Sequence, residues 1–335
     1  MKLDVITVGE PLVLLAAQQS GPLDSVASFA RVSAGAELNV AIGLARLGLR
    51  SDYISRVGDD SFGRFLSNIM ATEGIEHSQL TVDAAHRTGF MLKSRSDDGS
   101  DPDIEYFRKS SAASQIQPMH LDQAYCGSAR HLHLTGIFVG VSASAREAVF
   151  ELTANARRKG QTISFDPNLR PSLWPSQAAM VDCLNQLAAL SDWVMHGLAE
   201  GQLLSGHKEP DAIADFYLGC GAKNVVIKLG PQGAYYASAA STTSAVSTNT
   251  SELRGMVPGV PVAKVVDTVG AGDGFAVGVI SGLLEGLSLP DATARGNAIG
   301  ARVVQFPGDS DGLPNRQELT QLMATRVMST MYSND

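Results

Sequence analysis

Residues 267–274 read Asp-Thr-Val-Gly-Ala-Gly-Asp-Gly, and they lie between two apolar segments. The run Val260 to Val266 precedes them and predicts a buried strand. Residues 275–284 follow and predict a helix that is packed on most sides. A glycine-rich turn between a strand and a helix points several backbone N–H groups and a helix N-terminus at one place. Such a place binds anions, phosphate above all.

An aspartate, Asp273, lies inside this predicted anion site. A carboxylate repels phosphate unless it has a task there, and the obvious task is to take a proton from a hydroxyl that attacks phosphorus. The chain has no GxxxxGK[ST] segment, so a P-loop enzyme is excluded. Its glycines follow GxGxG spacing, which differs from the GxGxxG of dinucleotide sites. The stretch therefore predicts phosphoryl transfer with Asp273 as general base.

Composition and charge limit the classes of protein to which this chain can belong. The 335 residues are 44% apolar, enough for a large α/β core with a small accessory piece or for two domains. A net charge of −8 argues against nonspecific binding to nucleic acid or to anionic membranes. The three cysteines are far apart and form no CxxC pair, and no apolar run approaches 18 residues. These features predict a soluble cytoplasmic enzyme.

Strand and helix patterns alternate regularly from His131 onward, which predicts an α/β fold with a mostly parallel, Rossmann-like central sheet flanked by helices. Two segments interrupt the alternation, at about 10–33 and 88–112, and both are predicted to form short strands. We expect them to combine into a small β-sheet lid over one end of the main sheet. No linker divides the chain, so residues 1–335 are predicted to form a single domain with this lid.

Polar residues follow two of the predicted core strands. Asp166, Asn168 and Arg170 come after the strand at Thr162 to Phe165, and Glu200 comes after the strand at Asp192 to His196. Ligands of open α/β sheets bind at the carboxyl ends of the strands, so these side chains are candidate site residues.

The stretch 267–274 closely resembles the second signature of the ribokinase-like (PfkB) carbohydrate kinases. Residues 34–41 (Ala-Gly-Ala-Glu-Leu-Asn-Val-Ala) resemble that family's Gly-Gly-x-x-x-Asn-x-Ala segment, with Ala34 in place of the first glycine. Residues 56–60 and 166–168 also resemble family segments, and the resemblance covers nearly all of the chain. It implies a ribokinase-like fold, ATP and Mg²⁺ as cofactors, and a lid that often forms a homodimer interface.

Site roles follow from this resemblance, residue by residue. It implies that Asp273 is the catalytic base and that Gly270, Ala271 and Gly272 form the anion hole for the transferred phosphoryl group. It implies that Gly35 and Asn39 contact the sugar. It places the ATP contacts at Lys228, Gly230, Gly233, Gly272 and Asn297. The family's Asn-x-x-Glu is here Gly197-Leu198-Ala199-Glu200, so positioning of Mg²⁺ through water rests on Glu200 alone. Asp267 and Val269 are possible carbonyl ligands for a monovalent cation such as K⁺.

The acceptor is indicated by two further segments. Residues 106–114 and 166–174 resemble those of 2-keto-3-deoxygluconate kinases, which implies that Phe90, Tyr106 and Arg108 of the lid contact the substrate together with Asp166, Asn168 and Arg170. A sugar acid brings a carboxylate, which an arginine can hold with two hydrogen bonds. Arg108 and Arg170 come from separate segments and are expected at the same end of the sheet.

Other functions stay open at this stage. The acceptor of a kinase could be fructose, ribose, 5-keto-2-deoxygluconate or a nucleoside, and for a neutral acceptor loss of Arg108 or Arg170 would have little effect. An NAD-dependent oxidoreductase would bind NAD. A non-kinase nucleotide- or sugar-binding protein would be expected to lack the base, and Asp273 is present.

Overall fold

The computed structural model describes residues 3–95, 102–239 and 253–332, with side chains up to residue 324. These residues form two β-sheets, one large and one small, together with helices that cover the large sheet. The described strands are β1 (Val5–Val8), β2 (Leu12–Ser20), β3 (Phe29–Ala34), β4 (Ser51–Gly58), β5 (Leu80–Asp83), β6 (Phe90–Arg95), β7 (Ile104–Phe107), β8 (His131–Thr135), β9 (Thr162–Asp166), β10 (Trp193–Gly197), β11 (Asn224–Lys228), β12 (Gly233–Ser238) and β13 (Arg254–Pro258).

The large sheet has the order β13-β12-β11-β10-β9-β8-β1-β4-β5 in the described part of the chain. Neighbouring strands from β11 to β5 are parallel, whereas β12 and β13 run antiparallel at one edge. The predicted mostly parallel central sheet is therefore confirmed.

Helices cover both faces of this sheet. They are α1 (Ala36–Arg46), α2 (Ser61–Thr72), α3 (Gln123–Cys126), α4 (Phe138–Val141), α5 (Ala143–Arg158), α6 (Gln177–Ala189), α7 (Leu198–Ser205), α8 (Pro210–Gly219), α9 (Ala271–Leu284), α10 (Leu289–Val303) and α11 (Arg316–Tyr332). In β11, Val225 and Ile227 pack into one hydrophobic cluster, while Val226 packs into a second cluster on the opposite face. Burial on both faces explains why the core strands are continuously apolar in the sequence. No helix in the described residues is both long enough and apolar enough to cross a membrane.

The small sheet is made from the two segments predicted to form the lid. Its order is β3-β2-β6-β7, in which β2 and β6 are parallel and the two outer pairs are antiparallel. Part of the predicted loop between β6 and β7, residues 96–101, lies outside the described residues.

The prediction of a strand at Val260 to Val266 is wrong. β13 ends at Pro258, and residues 259–270 form neither helix nor strand. Pro261 has no N–H to offer a sheet, and the N–H groups of Val266 and Asp267 both donate to the carbonyl of Val304 beyond α10. The run is also exposed, at 56% for Val265. The helix predicted after the motif is confirmed, since α9 is buried from residue 273 to residue 282.

Candidate active site

A cavity of about 400 Å³ opens at the carboxyl edge of the large sheet, against the lid. Strand ends, lid strands and the motif at 267–274 all contribute to its wall. Charged and polar lining residues are Glu10, Glu37, Asn39, Lys93, Tyr106, Arg108, Asp166, Asn168, Arg170, Glu200, Lys228, Thr268, Asp273 and Asp309. A cavity of this size that combines apolar walls with a few converging polar groups is typical of a small-molecule site.

Asp273 lies in the first turn of α9 and is buried, with 9% exposure. Its Oδ2 accepts a hydrogen bond of 2.8 Å from Nδ2 of Asn39. Burial raises the pKa of Asp273 to about 7; Asp166 and Asp309 add to this, while Asn39 and Lys228 oppose it. The carboxyl group therefore titrates near neutral pH, which suits a group that accepts and releases a proton.

The loop before Asp273 needs glycine at position 270. Gly270 has a φ of 81°, in the left-handed region, and an added Cβ would lie 2.2 Å from the carbonyl oxygen of Asp309. Gly270 and Gly272 line the cavity. Ala271 lies outside the lining, and its N–H makes a long hydrogen bond of 3.4 Å to the carbonyl of Thr268 within the turn.

Lys228, the last residue of β11, brings a positive charge to this loop. Its Nζ lies 2.6 Å from Oδ2 of Asp166, at the end of β9, and a Cβ added to Gly272 would lie 3.5 Å from the same Nζ. Burial works against the charge, yet the carboxylates of Asp166 and Glu200 outweigh it and raise the pKa of Lys228. The ammonium group is therefore paired with Asp166 and lies beside the glycine loop.

Glu200 is fixed by backbone donors. Oε1 accepts from the N–H of Leu169 at 2.8 Å, and Oε2 accepts from the N–H of Gly197 at 2.7 Å. Burial is outweighed by Lys228 and by these two N–H groups, so the pKa of Glu200 is lowered. Gly197 stands where the family resemblance predicts asparagine, and its main chain orients the glutamate without that side chain.

Most of the predicted substrate residues meet in the cavity. Its lining includes Gly35, Asn39, Tyr106, Arg108, Asp166, Asn168 and Arg170. Phe90 does not line it: the Phe90 ring stacks on Phe107 with 4.6 Å between centroids and also packs against Phe62. Asn168 has a φ of 39°, a left-handed conformation that is uncommon outside glycine and occurs often in ligand-binding loops.

The two predicted arginines differ in their surroundings. Arg108 is paired with the buried Glu10, with 2.7 Å between Nε and Oε2, and Glu10 also accepts from the hydroxyl of Ser111. Arg170 donates to neutral acceptors, the carbonyls of Leu169 at 2.9 Å and Asn168 at 3.5 Å. The charge of Arg108 is thus already compensated within the protein, whereas that of Arg170 faces the cavity without a carboxylate partner among the described residues.

Sequence reasoning missed four charged lining residues, Glu10, Glu37, Lys93 and Asp309. Glu10 had a usable signal, because it lies two residues after a core strand and interrupts an apolar run. Glu37 accepts from the hydroxyl of Thr135, and its burial raises its pKa to about 7. Lys93 and Asp309 gave no signal in the sequence, since a lysine in a short strand and an aspartate in a loop usually face water.

Three predicted ATP contacts lie outside this cavity. Gly233 has a φ of 105°, and an added Cβ would lie 2.1 Å from the carbonyl oxygen of Val257. Nδ2 of Asn297 donates to the carbonyls of Val257 and Pro258, at 3.1 Å each. Gly230 has a φ of 59° in the turn before β12. These residues shape the antiparallel edge of the sheet beside α10.

The two predicted monovalent-cation ligands are close in space. Val269 lines the cavity, and its N–H donates to Oδ1 of Asp267 at 3.0 Å. Oδ2 of Asp267 accepts from Nζ of Lys93.

Proteins of known family and structure are similar to this chain over nearly its whole length. The family model described as pfkB family carbohydrate kinase matches residues 2–316. A 2-dehydro-3-deoxygluconokinase of Bacillus subtilis (strain 168) is 48% identical over 327 residues, which cover 97% of each chain. The crystal structure of a PfkB protein from Polaromonas sp. JS666 is 48% identical, with a TM-score of 0.85, over 95% of this chain and 99% of that one. An E. coli protein assigned as Ribokinase II, solved with ATP and Mg²⁺, is 28% identical with a TM-score of 0.85, over 96% and 99% of the two chains.

Proposed function

The chain belongs to the pfkB family of carbohydrate kinases, and we propose that it uses ATP to phosphorylate a hydroxyl of 2-keto-3-deoxygluconate. The observation that carries the proposal is that Asp273 and Arg170 line one cavity. The first is a base for a hydroxyl, and the second is a cation for a carboxylate. The same acceptor is named by the B. subtilis relative, which is similar over nearly its whole length.

Asp273 accepts the proton of the acceptor hydroxyl while the hydroxyl oxygen attacks the γ-phosphorus of ATP. The hydrogen bond from Asn39 fixes the carboxylate, and a pKa of about 7 leaves a large fraction of it unprotonated at neutral pH. After transfer, the proton returns to solvent or to product phosphate. Asp273 is therefore the catalytic residue of this proposal.

Negative charge on the transferring phosphoryl group is stabilised from two sides. The N–H groups of the loop at 270–272, which begins α9, form one side, and the ammonium of Lys228 forms the other. The N–H of Ala271 contributes only if its long bond to Thr268 opens when phosphate binds. Gly272 leaves the space between helix and lysine free for the phosphoryl group.

Mg²⁺ fits the acidic residues around Lys228. Each carboxylate oxygen of Glu200 accepts one hydrogen bond from a backbone N–H, so the remaining lone pairs can accept from a water molecule bound to Mg²⁺. When bound, Mg²⁺ neutralises charge on the phosphates. The assignment of ATP as the phosphoryl donor is supported by the E. coli relative, which was solved with ATP and Mg²⁺. Lys228 contacts the phosphates in this proposal, while Gly230, Gly233 and Asn297 border the nucleoside part.

Arg170 is the main anchor for the acceptor carboxylate, because its charge is not offset by a bound carboxylate in the described residues. Arg108 is held by Glu10 and, with Tyr106, shapes the wall of the cavity against which the acceptor lies. Hydroxyl groups of the acceptor are contacted by Gly35, Asn39, Asp166 and Asn168. Phe90 acts indirectly, through the packing of the lid.

Residues 1–335 work in this proposal as one ribokinase-like domain, with the lid at about 10–33 and 88–112. Tyr106 and Phe107 of the lid strand β7 are exposed by 42% and 46% and suit a homodimer formed through the lid. The enzyme acts in the cytoplasm, where ATP is available.

An ADP-release assay with Mg-ATP tests the acceptor. The panel contains 2-keto-3-deoxygluconate, its galacto epimer, 5-keto-2-deoxygluconate, fructose, ribose and a nucleoside. We expect kcat/KM for 2-keto-3-deoxygluconate to exceed that for the neutral acceptors by about 100-fold or more, because the charged site would lose its partner with them. A preference for fructose, ribose or the nucleoside would overturn the assignment of a sugar acid. A preference for 5-keto-2-deoxygluconate would keep the sugar acid but overturn the assignment of a 2-keto acceptor.

A further inference from the structure

One buried lysine joins the lid to the glycine-rich loop. Lys93 lies in β6, and its Nζ is 2.5 Å from Oδ2 of Asp267, the first residue of the motif. The side chains of Lys93 and Asp267 are 8% and 14% exposed. The other oxygen of Asp267 accepts the N–H of Val269, so the carboxylate fixes the main chain just before Gly270.

A second carboxyl group, that of Asp309, lines the same cavity as Lys93. Asp309 is buried, its Oδ1 has no hydrogen-bond partner in the described structure, and its carbonyl oxygen packs against Gly270. Burial raises the pKa of Asp309 to about 6; Lys93 opposes this rise and Asp267 adds to it. The ammonium group of Lys93 is therefore paired with Asp267, and its charge also favours an ionised Asp309.

Phosphate binding makes this charge balance important. Without Lys93, Asp267 and Asp309 would place uncompensated negative charge beside Val269 and Gly270, where the phosphates of ATP are expected. A buried pair that loses its cation keeps the full cost of the buried anion. A binding loop for an anion therefore needs a cation at this position.

We propose that the Lys93 ammonium acts as a built-in monovalent cation, holding and neutralising Asp267 from the lid, so that phosphoryl transfer proceeds without bound K⁺. Lys93 is a positioning residue, because it acts on the loop through Asp267. In this proposal Lys93 supplies the positive charge that K⁺ at the carbonyls of Asp267 and Val269 was expected to bring. The inference rests on the kinase activity of the family and is independent of which sugar is the acceptor.

The first test uses the unmodified enzyme with the best acceptor from the panel. ADP release is measured in KCl and in tetramethylammonium chloride at equal ionic strength. We expect rates equal within about twofold, since the required charge is covalently attached. A rate that depends strongly on K⁺ overturns the proposal, and it does so whether or not the acceptor is 2-keto-3-deoxygluconate.

The second test removes the charge with Lys93→Met. In tetramethylammonium chloride we expect kcat/KM for ATP to fall by about 10- to 100-fold, because an uncompensated buried charge then faces the phosphates. K⁺ or NH₄⁺ should restore about fivefold or more of that loss in the variant and leave the unmodified enzyme unchanged. A purely structural role of Lys93 would give no rescue that depends on the identity of the cation.

Two further variants complete the design. Lys93→Met/Asp267→Asn removes cation and anion together and should be more active than Lys93→Met alone. Lys109→Met, at an exposed lysine of the lid, is the matched control and should leave both the rate and its insensitivity to K⁺ unchanged. The proposal is overturned if Lys93→Met is fully active. It is also overturned if Lys93→Met folds but is impaired, and neither added cations nor Asp267→Asn improve its activity.

If Lys93→Met does not fold, the test uses the unmodified enzyme and Lys93→Arg instead. A rate that depends on K⁺ in either of these two proteins then overturns the proposal.

Discussion

The two ends of the cavity are built in different ways. The phosphoryl end consists of consecutive residues, 267–274, at the start of α9, and its shape follows from local backbone rules such as the left-handed φ of Gly270. The acceptor end combines Gly35, Arg108 and Arg170, which are far apart in the chain.

This difference explains what each end can specify. A helix N-terminus with glycines offers an anion the same backbone N–H groups whatever the rest of the fold. An arginine recognises a carboxylate only if no carboxylate of the protein already occupies it, and that depends on distant neighbours. Arg108 has such a neighbour in Glu10, whereas Arg170 is bound to carbonyl groups. In the proposed function, the first end therefore sets the reaction and the second sets the substrate.

Asp273→Asn should cause the largest loss, at the phosphoryl end. Asparagine keeps the size of the side chain but cannot accept the proton, so we expect kcat to fall by about 10³-fold. Affinity for ATP, measured by calorimetry, should change little because the loop N–H groups and Lys228 remain. Retained turnover would show that the two ends do not divide the work in this way.

Arg170→Ala should have the next largest effect, at the acceptor end. Loss of hydrogen bonds to a charged group should raise KM for the sugar acid by about 10- to 100-fold, with a smaller change in kcat. A neutral acceptor from the panel serves as control, and its KM should stay the same. Equal increases for both acceptors would contradict the role of Arg170 in binding a carboxylate.

Arg108→Ala sharpens the contrast between the two arginines. It leaves Glu10 buried without its cation, so we expect a loss of stability of about 3 kcal/mol or more, read as a lower thermal midpoint. The double variant Arg108→Ala/Glu10→Gln should regain most of it. If the double variant is no more stable than the single one, the Glu10–Arg108 pair does not support the lid.

The pH profile tests the link between the ends, which runs through Asn39 and Asp273. Asp273 must be unprotonated to act and its pKa is about 7, so kcat/KM should rise with pH through about 7 and level off above it. The hydrogen bond from Asn39 lowers this pKa, so Asn39→Leu should move the rising limb up by about one pH unit. The height of the alkaline plateau reports any separate loss of acceptor binding. An unmoved limb would mean that another group limits the rate.

Phe90→Leu should have the smallest effect. The Phe90 ring packs on Phe107 outside the cavity lining, so KM for the acceptor should change by no more than about twofold, although loss of stacking lowers stability by about 1 kcal/mol. Phe107→Leu is the matched variant on the other side of the stack. A tenfold rise of KM in Phe90→Leu alone would return Phe90 to the acceptor contacts that the sequence predicted.

The sequence predicted the class of fold because two-sided burial makes parallel strands continuously apolar and because polar residues collect at their carboxyl ends. It failed at Val260 to Val266, where apolar composition suggests a strand. A strand also needs a partner for its N–H groups, and those of Val266 and Asp267 go to Val304. Only the folded chain contains that information.

Residues 267–274 by themselves predicted a phosphate site that carries a base, because neighbours in sequence at a helix N-terminus are necessarily neighbours in space. Tertiary structure alone decided which charges remain available to a ligand. Glu10 compensates Arg108, Asp166 and Glu200 hold Lys228, and Lys93 reaches Asp267 from the lid. Electrostatic interactions act over distances in space and are strongest where water is excluded, so they depend on how distant segments are brought together.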